Sequence, residues 1–132
     1  MAGAVTVSAS ICVAAGGAAG ALLRFWLGAA LPPPEGGVPQ ATLAANLVGS
    51  LALGLLVGWL LRQQAQVTDH PAMLLLGVGL LGGFTTFSSF SLELVSLIER
   101  GATAIAALYA GLSLFGGLAM AWAGLALARW AP

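Results

Sequence analysis

The chain contains no lysine, one cysteine and one histidine, and its whole charge complement is four arginines against four carboxylates in 132 residues. Each scarcity closes off a class of function. Only 6% of the residues are charged, against about 25% in an ordinary water-soluble domain, so most of the surface cannot face water. A formal net charge of zero and the lack of any basic run leave no electrostatic footprint for nucleic acid. Cys12 alone can close no internal disulfide. His70 has only Asp69 beside it, too few ligands for zinc, and no constellation for hydrolytic or redox chemistry is present. The chain does not read as an enzyme.

What remains is 60% hydrophobic. A helix needs about 20 apolar residues to cross roughly 30 Å of hydrocarbon. Four charge-free intervals meet that need: Met1 to Leu23, Gly36 to Leu61, Pro71 to Leu92 and Gly101 to Ala128. With no basic residue ahead of its apolar stretch, the first reads as a span rather than a secretory signal. The expected class is therefore an all-α membrane protein: a single domain over residues 1–132 with four transmembrane helices. The spans are placed at about 5–31, 42–61, 72–98 and 103–129. The run "LPPPEGGVP" ends the first, because three successive prolines cannot continue a helix. In "ERG", Gly101 suits a helix terminus.

Small residues recur four apart: Gly16 and Gly20, Gly54 and Gly58, Gly79 and Gly83, Ser113 and Gly117. That spacing lets helices approach closely in lipid, either within one chain or at a seam between copies. Four spans put Arg62 and Arg129 on one side of the membrane, and Arg100 and Arg24 on the other. Two against two leaves the positive-inside rule no preference, which predicts insertion in both orientations and an antiparallel pair.

The third span carries "GGFTTFSSF" at residues 82–90. Gly82 and Gly83 weaken a helix there, and Thr85, Thr86, Ser88 and Ser89 can bond the backbone groups that a break would release. Freed carbonyls can hold a small cation and freed N–H groups an anion; the alternative is a kinked but continuous helix. Phe84, Phe87 and Phe90 share a face, where rings ordinarily pack but can also turn positive edges to an anion. Asn46, in "NLVGS", either bridges helices or donates its amide to a passing solute. Tyr109 and Ser113 put two hydroxyls on one stripe of the fourth span. Glu93 follows Phe90 on one face near the boundary, where a carboxylate is usually solvated or paired with arginine. Arg24 either snorkels, the simpler reading, or places positive charge at an aqueous vestibule.

These residues carry a resemblance. "GGAAGALLRF", "NLVGS" and above all "GGFTTFSSF" followed by Glu93 resemble the small bacterial fluoride channels, the Fluc-type exporters, over essentially the whole chain. The resemblance implies a multi-pass protein of the bacterial inner membrane giving passive fluoride export and fluoride resistance. It implies an antiparallel dual-topology homodimer in the lipid bilayer, with two pores lined by both subunits. A structural sodium ion would sit at its centre on backbone carbonyls of Gly82 and Thr85. The pore would be lined by Phe87, Phe90 and Asn46, with a hydroxyl track along Ser88, Ser89, Tyr109 and Ser113 and with Arg24 matching the first-span arginine. One departure stands out: the next hydroxyl after Ser113 would fall at Gly117, which has none. Two rivals explain less. A proton-coupled multidrug transporter of the small dual-topology kind needs a carboxylate in the first span, which has no acidic residue. A non-transporting scaffold subunit leaves the company of Asn46, the broken-helix motif and the phenylalanines unexplained.

Overall fold

A computed structural model describes residues 6–130; Val5, at the expected start of the first span, lies outside them. Four helical spans cross from end to end: Val7–Ala30, Gln40–Arg62, Met73–Glu99 and Thr103–Trp130. All four are long and apolar enough to cross a membrane, and no strand occurs among the described residues.

The first span is helix α1 (Val7–Ala30), capped by the Thr6 hydroxyl, which accepts from the Ala9 N–H at 3.1 Å. It stops at Leu31, just before the prolines. Helix α2 (Gln40–Arg62) starts directly after Pro39, and Arg62 Nη1 donates to the Ala128 carbonyl at 3.2 Å, tying the far ends of the second and fourth spans. The third span opens on Pro71, whose missing N–H costs nothing at a helix start; His70 Nδ1 accepts from the Ala72 N–H at 3.2 Å. Residues Met73–Leu81 are wound as a π-helix, a single turn α3 (Gly82–Phe84) follows, and helix α4 (Phe87–Glu99) completes the span. Gly101, at φ 77°, takes the left-handed conformation that ends α4. The last span joins α5 (Thr103–Gly111), a second π-wound stretch (Leu112–Gly116) and α6 (Gly117–Trp130).

Two helix pairs build the bundle: α1 lies along the first half of the third span, and α2 along α6. In both, small residues bring backbones together. A Cβ added at Gly16 would lie 2.8 Å from Leu80 N and 3.0 Å from the Gly79 Cα; one at Gly83 would lie 2.5 Å from the Gly17 carbonyl. At Gly54 it would meet the Ala121 carbonyl and lie 2.9 Å from Leu125 N. These glycines are thus occupied inside the bundle, where close packing rather than water expulsion holds helices together. A small apolar core, Leu97, Ala106 and Tyr109, joins α4 to α5.

Candidate functional site

The third span is broken, one step later than its glycines suggest. Gly82 and Gly83 stay in the helical turn, with Gly83 serving the contact with α1. The backbone leaves the helix at Thr85 (φ −81°, ψ 158°) and Thr86 (φ −154°, ψ 124°), both extended. β-branched residues favour that conformation, and their hydroxyls close the two ends. Thr85 donates both its N–H and its Oγ1 to the Leu81 carbonyl, each at 2.9 Å. Thr86 caps α4, its Oγ1 accepting from the Ser89 N–H at 3.2 Å and lying 3.2 Å from both Ser88 Oγ and Ser89 Oγ.

Two side chains from other spans stitch the opening. Asn46 makes two hydrogen bonds to the backbone of one residue: the Thr86 N–H donates to Oδ1 at 2.8 Å, and Nδ2 donates to the Thr86 carbonyl at 3.0 Å. Asn46 therefore bridges helices, while the second N–H of its amide is not used by Thr86. Gly49, three residues on, leaves the space that the Thr85 methyl fills. Arg24 reaches the third span, its Nε donating to the Gly83 carbonyl at 3.2 Å. The carbonyls of Gly82 and Thr85 take no part in these contacts.

Glu93, half-buried, is held by hydroxyls of two other spans rather than by an arginine among the described residues. Its two oxygens accept from Thr42 Oγ1 at 2.8 Å and from the Tyr109 hydroxyl at 2.7 Å. Tyr109 is wholly buried and meets Phe90 edge-on, ring centroids 5.1 Å apart. Phe90 and Phe87 are 5.8 Å apart, and Phe87 is 79% exposed.

A cleft of about 400 Å³ gathers most of the residues expected from the sequence: Asn46, Gly82, Thr85, Phe87, Phe90 and Ser113, together with Thr86. Within it the Ser113 hydroxyl is buried and has no hydrogen-bond partner. A smaller cleft of about 190 Å³ lies beyond the break, lined by Arg24, Thr42, Thr86, Ser89 and Glu93. Ser88 is exposed and lines neither cleft, and Tyr109 is set behind Phe90 with its hydroxyl engaged by Glu93. Three further participants were not singled out by pattern: Thr42, Gly49 and Ser50. The last two lie inside "NLVGS", and spacing from Asn46 was the available signal.

Arg24, Asn46, Thr85 and Thr86 thus turn an interrupted helix into a bonded structure with an apolar-walled, donor-bearing cleft on one side and a polar cleft on the other. Comparison with known proteins points the same way. The family described as "CrcB-like protein, Camphor Resistance (CrcB)" matches residues 11–125. A protein of Novosphingobium aromaticivorans named "Fluoride-specific ion channel FluC" is 45% identical over 126 residues, covering 93% of this chain and 98% of that one. Proteins of the same name from Pseudomonas fluorescens and Hyphomonas neptunium are each 47% identical, over 124 and 118 residues, covering 90% and 89% of this chain and 95% and 92% of theirs.

Proposed function

The chain belongs to the CrcB-like family, and from that premise we propose that it is a passive, fluoride-selective channel that lets fluoride escape the bacterial cytoplasm. The observation that carries this reading is the buried Ser113 hydroxyl, without a partner, in a cleft walled by Phe87 and Phe90. A hydroxyl left orphaned in a low-dielectric site is costly unless something visits it. Fluoride is small and tightly hydrated, so its water must be replaced by closely placed donors. The hydroxyls, the spare amide hydrogen of Asn46 and the positive ring edges provide such donors without a fixed charge. A ring of arginines would hold the anion too firmly to release it, and here Arg24 is bound to Gly83.

The pore is completed by a second, antiparallel copy of the chain. Phe87 at 79% and Leu114 at 58% exposure line the cleft yet remain open on one side, as half of a wall would. The balanced arginines, Arg62 and Arg129 against Arg100 and Arg24, agree with insertion both ways.

A sodium ion suits the break. Gly82 is exposed, Gly82 and Thr85 bring backbone oxygens free of the stitching contacts, and no cluster of acidic, cysteine or histidine side chains occurs among the described residues. Neutral carbonyl oxygens alone favour a monovalent cation, and two copies would double the donor set. When bound there, the ion would supply a fixed positive charge without a charged side chain lining the path. The protein's own residues do the rest: Asn46 and Thr86 keep the break open, and the phenylalanines exclude water.

An inside-negative potential drives anions outward with about 2.3 kcal/mol per charge for each 100 mV, so no coupling to another gradient is required. The test is efflux from liposomes holding only the purified chain, followed with a fluoride electrode against a chloride control. Rapid fluoride-selective efflux without a proton gradient is expected. Proton-dependent transport, or none from a folded dimer, would overturn the proposal.

A further inference from the structure

The fourth span carries its donors four residues apart, at Tyr109, Ser113 and then Gly117, where the side chain is missing. The structure shows what stands in that place. A Cβ built at Gly117 would have one neighbour within 4 Å, the Ser50 hydroxyl oxygen at 3.7 Å. Ser50 comes from α2, packed beside the fourth span, and lines the cleft together with Asn46 and Ser113.

Two further facts bear on Ser50. It lies four residues after Asn46, so the two share a face of α2 one turn apart. The polar contacts that α2 makes with other spans run through Thr42, Asn46 and Arg62, which leaves the Ser50 hydroxyl outside them. Beside the Thr85 and Thr86 hydroxyls, which are bonded within the third span, the cleft is lined by two more, Ser50 and Ser113, together with the Asn46 amide.

Resting on the channel reading above, we infer that Ser50 supplies the fluoride-binding hydroxyl that the fourth span lacks at Gly117, so that the donor track crosses from the fourth span to α2 in this chain. The chemistry needs a hydroxyl at that point of the cleft and is indifferent to which helix carries it. Gly117 is a compatible partner in this exchange. Its backbone is helical (φ −59°, ψ −47°), and an added Cβ would touch Ser50 only at ordinary van der Waals distance.

That geometry sets the experiment: fluoride efflux from liposomes containing the full-length chain, for wild type, Ser50→Ala, Gly117→Ser, and the double variant Ser50→Ala/Gly117→Ser. Ser50→Ala is expected to slow efflux about tenfold, the weight of one hydrogen bond to an anion. Adding Gly117→Ser should bring the rate back to within about threefold of wild type, by returning a hydroxyl from the neighbouring helix. A packing role for Ser50 would not be rescued from another span, so a double variant as slow as Ser50→Ala would overturn the inference. So would a Ser50→Ala rate equal to wild type. If the wild-type chain itself passes no fluoride, the channel reading fails and this inference with it; wild-type efflux with an indifferent Ser50 sinks only the inference. Size-exclusion elution of every variant at the wild-type position establishes that the rates compare folded assemblies.

Discussion

Replacing Asn46 by alanine removes in one step the partners of both Thr86 backbone groups, the N–H that donates at 2.8 Å and the carbonyl that accepts at 3.0 Å. Two scales bracket the cost. Interhelical side-chain bonds in membrane proteins average only about 0.6 kcal/mol, because separated helices find other partners. Thr86 differs: its backbone is extended, outside either helical ladder, so no helical neighbour takes up the N–H and carbonyl that Asn46 would release. An orphaned backbone group then costs about 1–3 kcal/mol, and two of them put the expected loss near 3 kcal/mol.

The assay is unfolding of the purified protein in mixed micelles, titrated with denaturing detergent and followed by helical ellipticity, in parallel with liposome efflux. Asn46→Ala should lose stability by the amount given and lose fluoride flux with it. Asn46→Asp separates the two roles, since it keeps an acceptor for the Thr86 N–H but turns the donor into a negative oxygen on the anion's path, which should block flux. An alanine variant within about 0.6 kcal/mol of wild type would refute the reasoning, because the amide would then be an ordinary interhelical contact and not what holds the break.

Phe87→Ile and Phe90→Ile should each abolish fluoride efflux while the protein still elutes as a dimer, because isoleucine keeps apolar bulk but has no positive ring edge; unchanged flux would remove the rings from the path. Gly16→Ala forces a methyl against the backbone around Leu75, Gly79 and Leu80 and should destabilise by about 1–3 kcal/mol in the same detergent titration, whereas Gly28→Ala, with nothing within 4 Å, should be neutral. Two lysines added to the loop after Arg62 should bias insertion toward one orientation and reduce assembled protein, seen as less cross-linked dimer in membranes; an undiminished dimer would argue against antiparallel pairing.

Much of this molecule is legible in its sequence because hydrocarbon imposes one demand, length of apolar helix, and charge is so scarce that Arg62, Glu99 and Arg100 mark span ends directly. The α2 boundary, expected near Thr42, falls at Gln40, since Pro39 permits a helix to start immediately after it. Partnership across helices is less legible. Apolar residues cover nearly every face, so periodicity does not reveal helix rotation, and the choice at Asn46 between bridging and donating stays open until Thr86 is seen opposite. The same ignorance hides the Glu93 carboxylate behind Thr42 and Tyr109. The break itself was signalled by the right motif through the wrong residues: glycine weakness pointed to Gly82 and Gly83, but the extended pair is Thr85 and Thr86.

That displacement ties the small residues to the site. Gly16, Gly20 and Arg24 recur every four residues, so they lie along one face of α1. The glycines admit the backbone of the third span: a Cβ at Gly20 would meet the Leu80 carbonyl and lie 2.8 Å from Phe84 N. One turn later the same face delivers Arg24 to the Gly83 carbonyl at 3.2 Å. A guanidinium placed on a freed carbonyl within the span is stable only if the two backbones are already this close, since any side chain at Gly20 would lift the helix away. The close approach and the charge are therefore one device. On the other wall, "NLVGS" repeats the logic: Gly49 admits Thr85 while Asn46 holds Thr86, so α1 and α2 pin the two ends of the break from opposite sides. A break held in this way can stay open between them without unravelling α4.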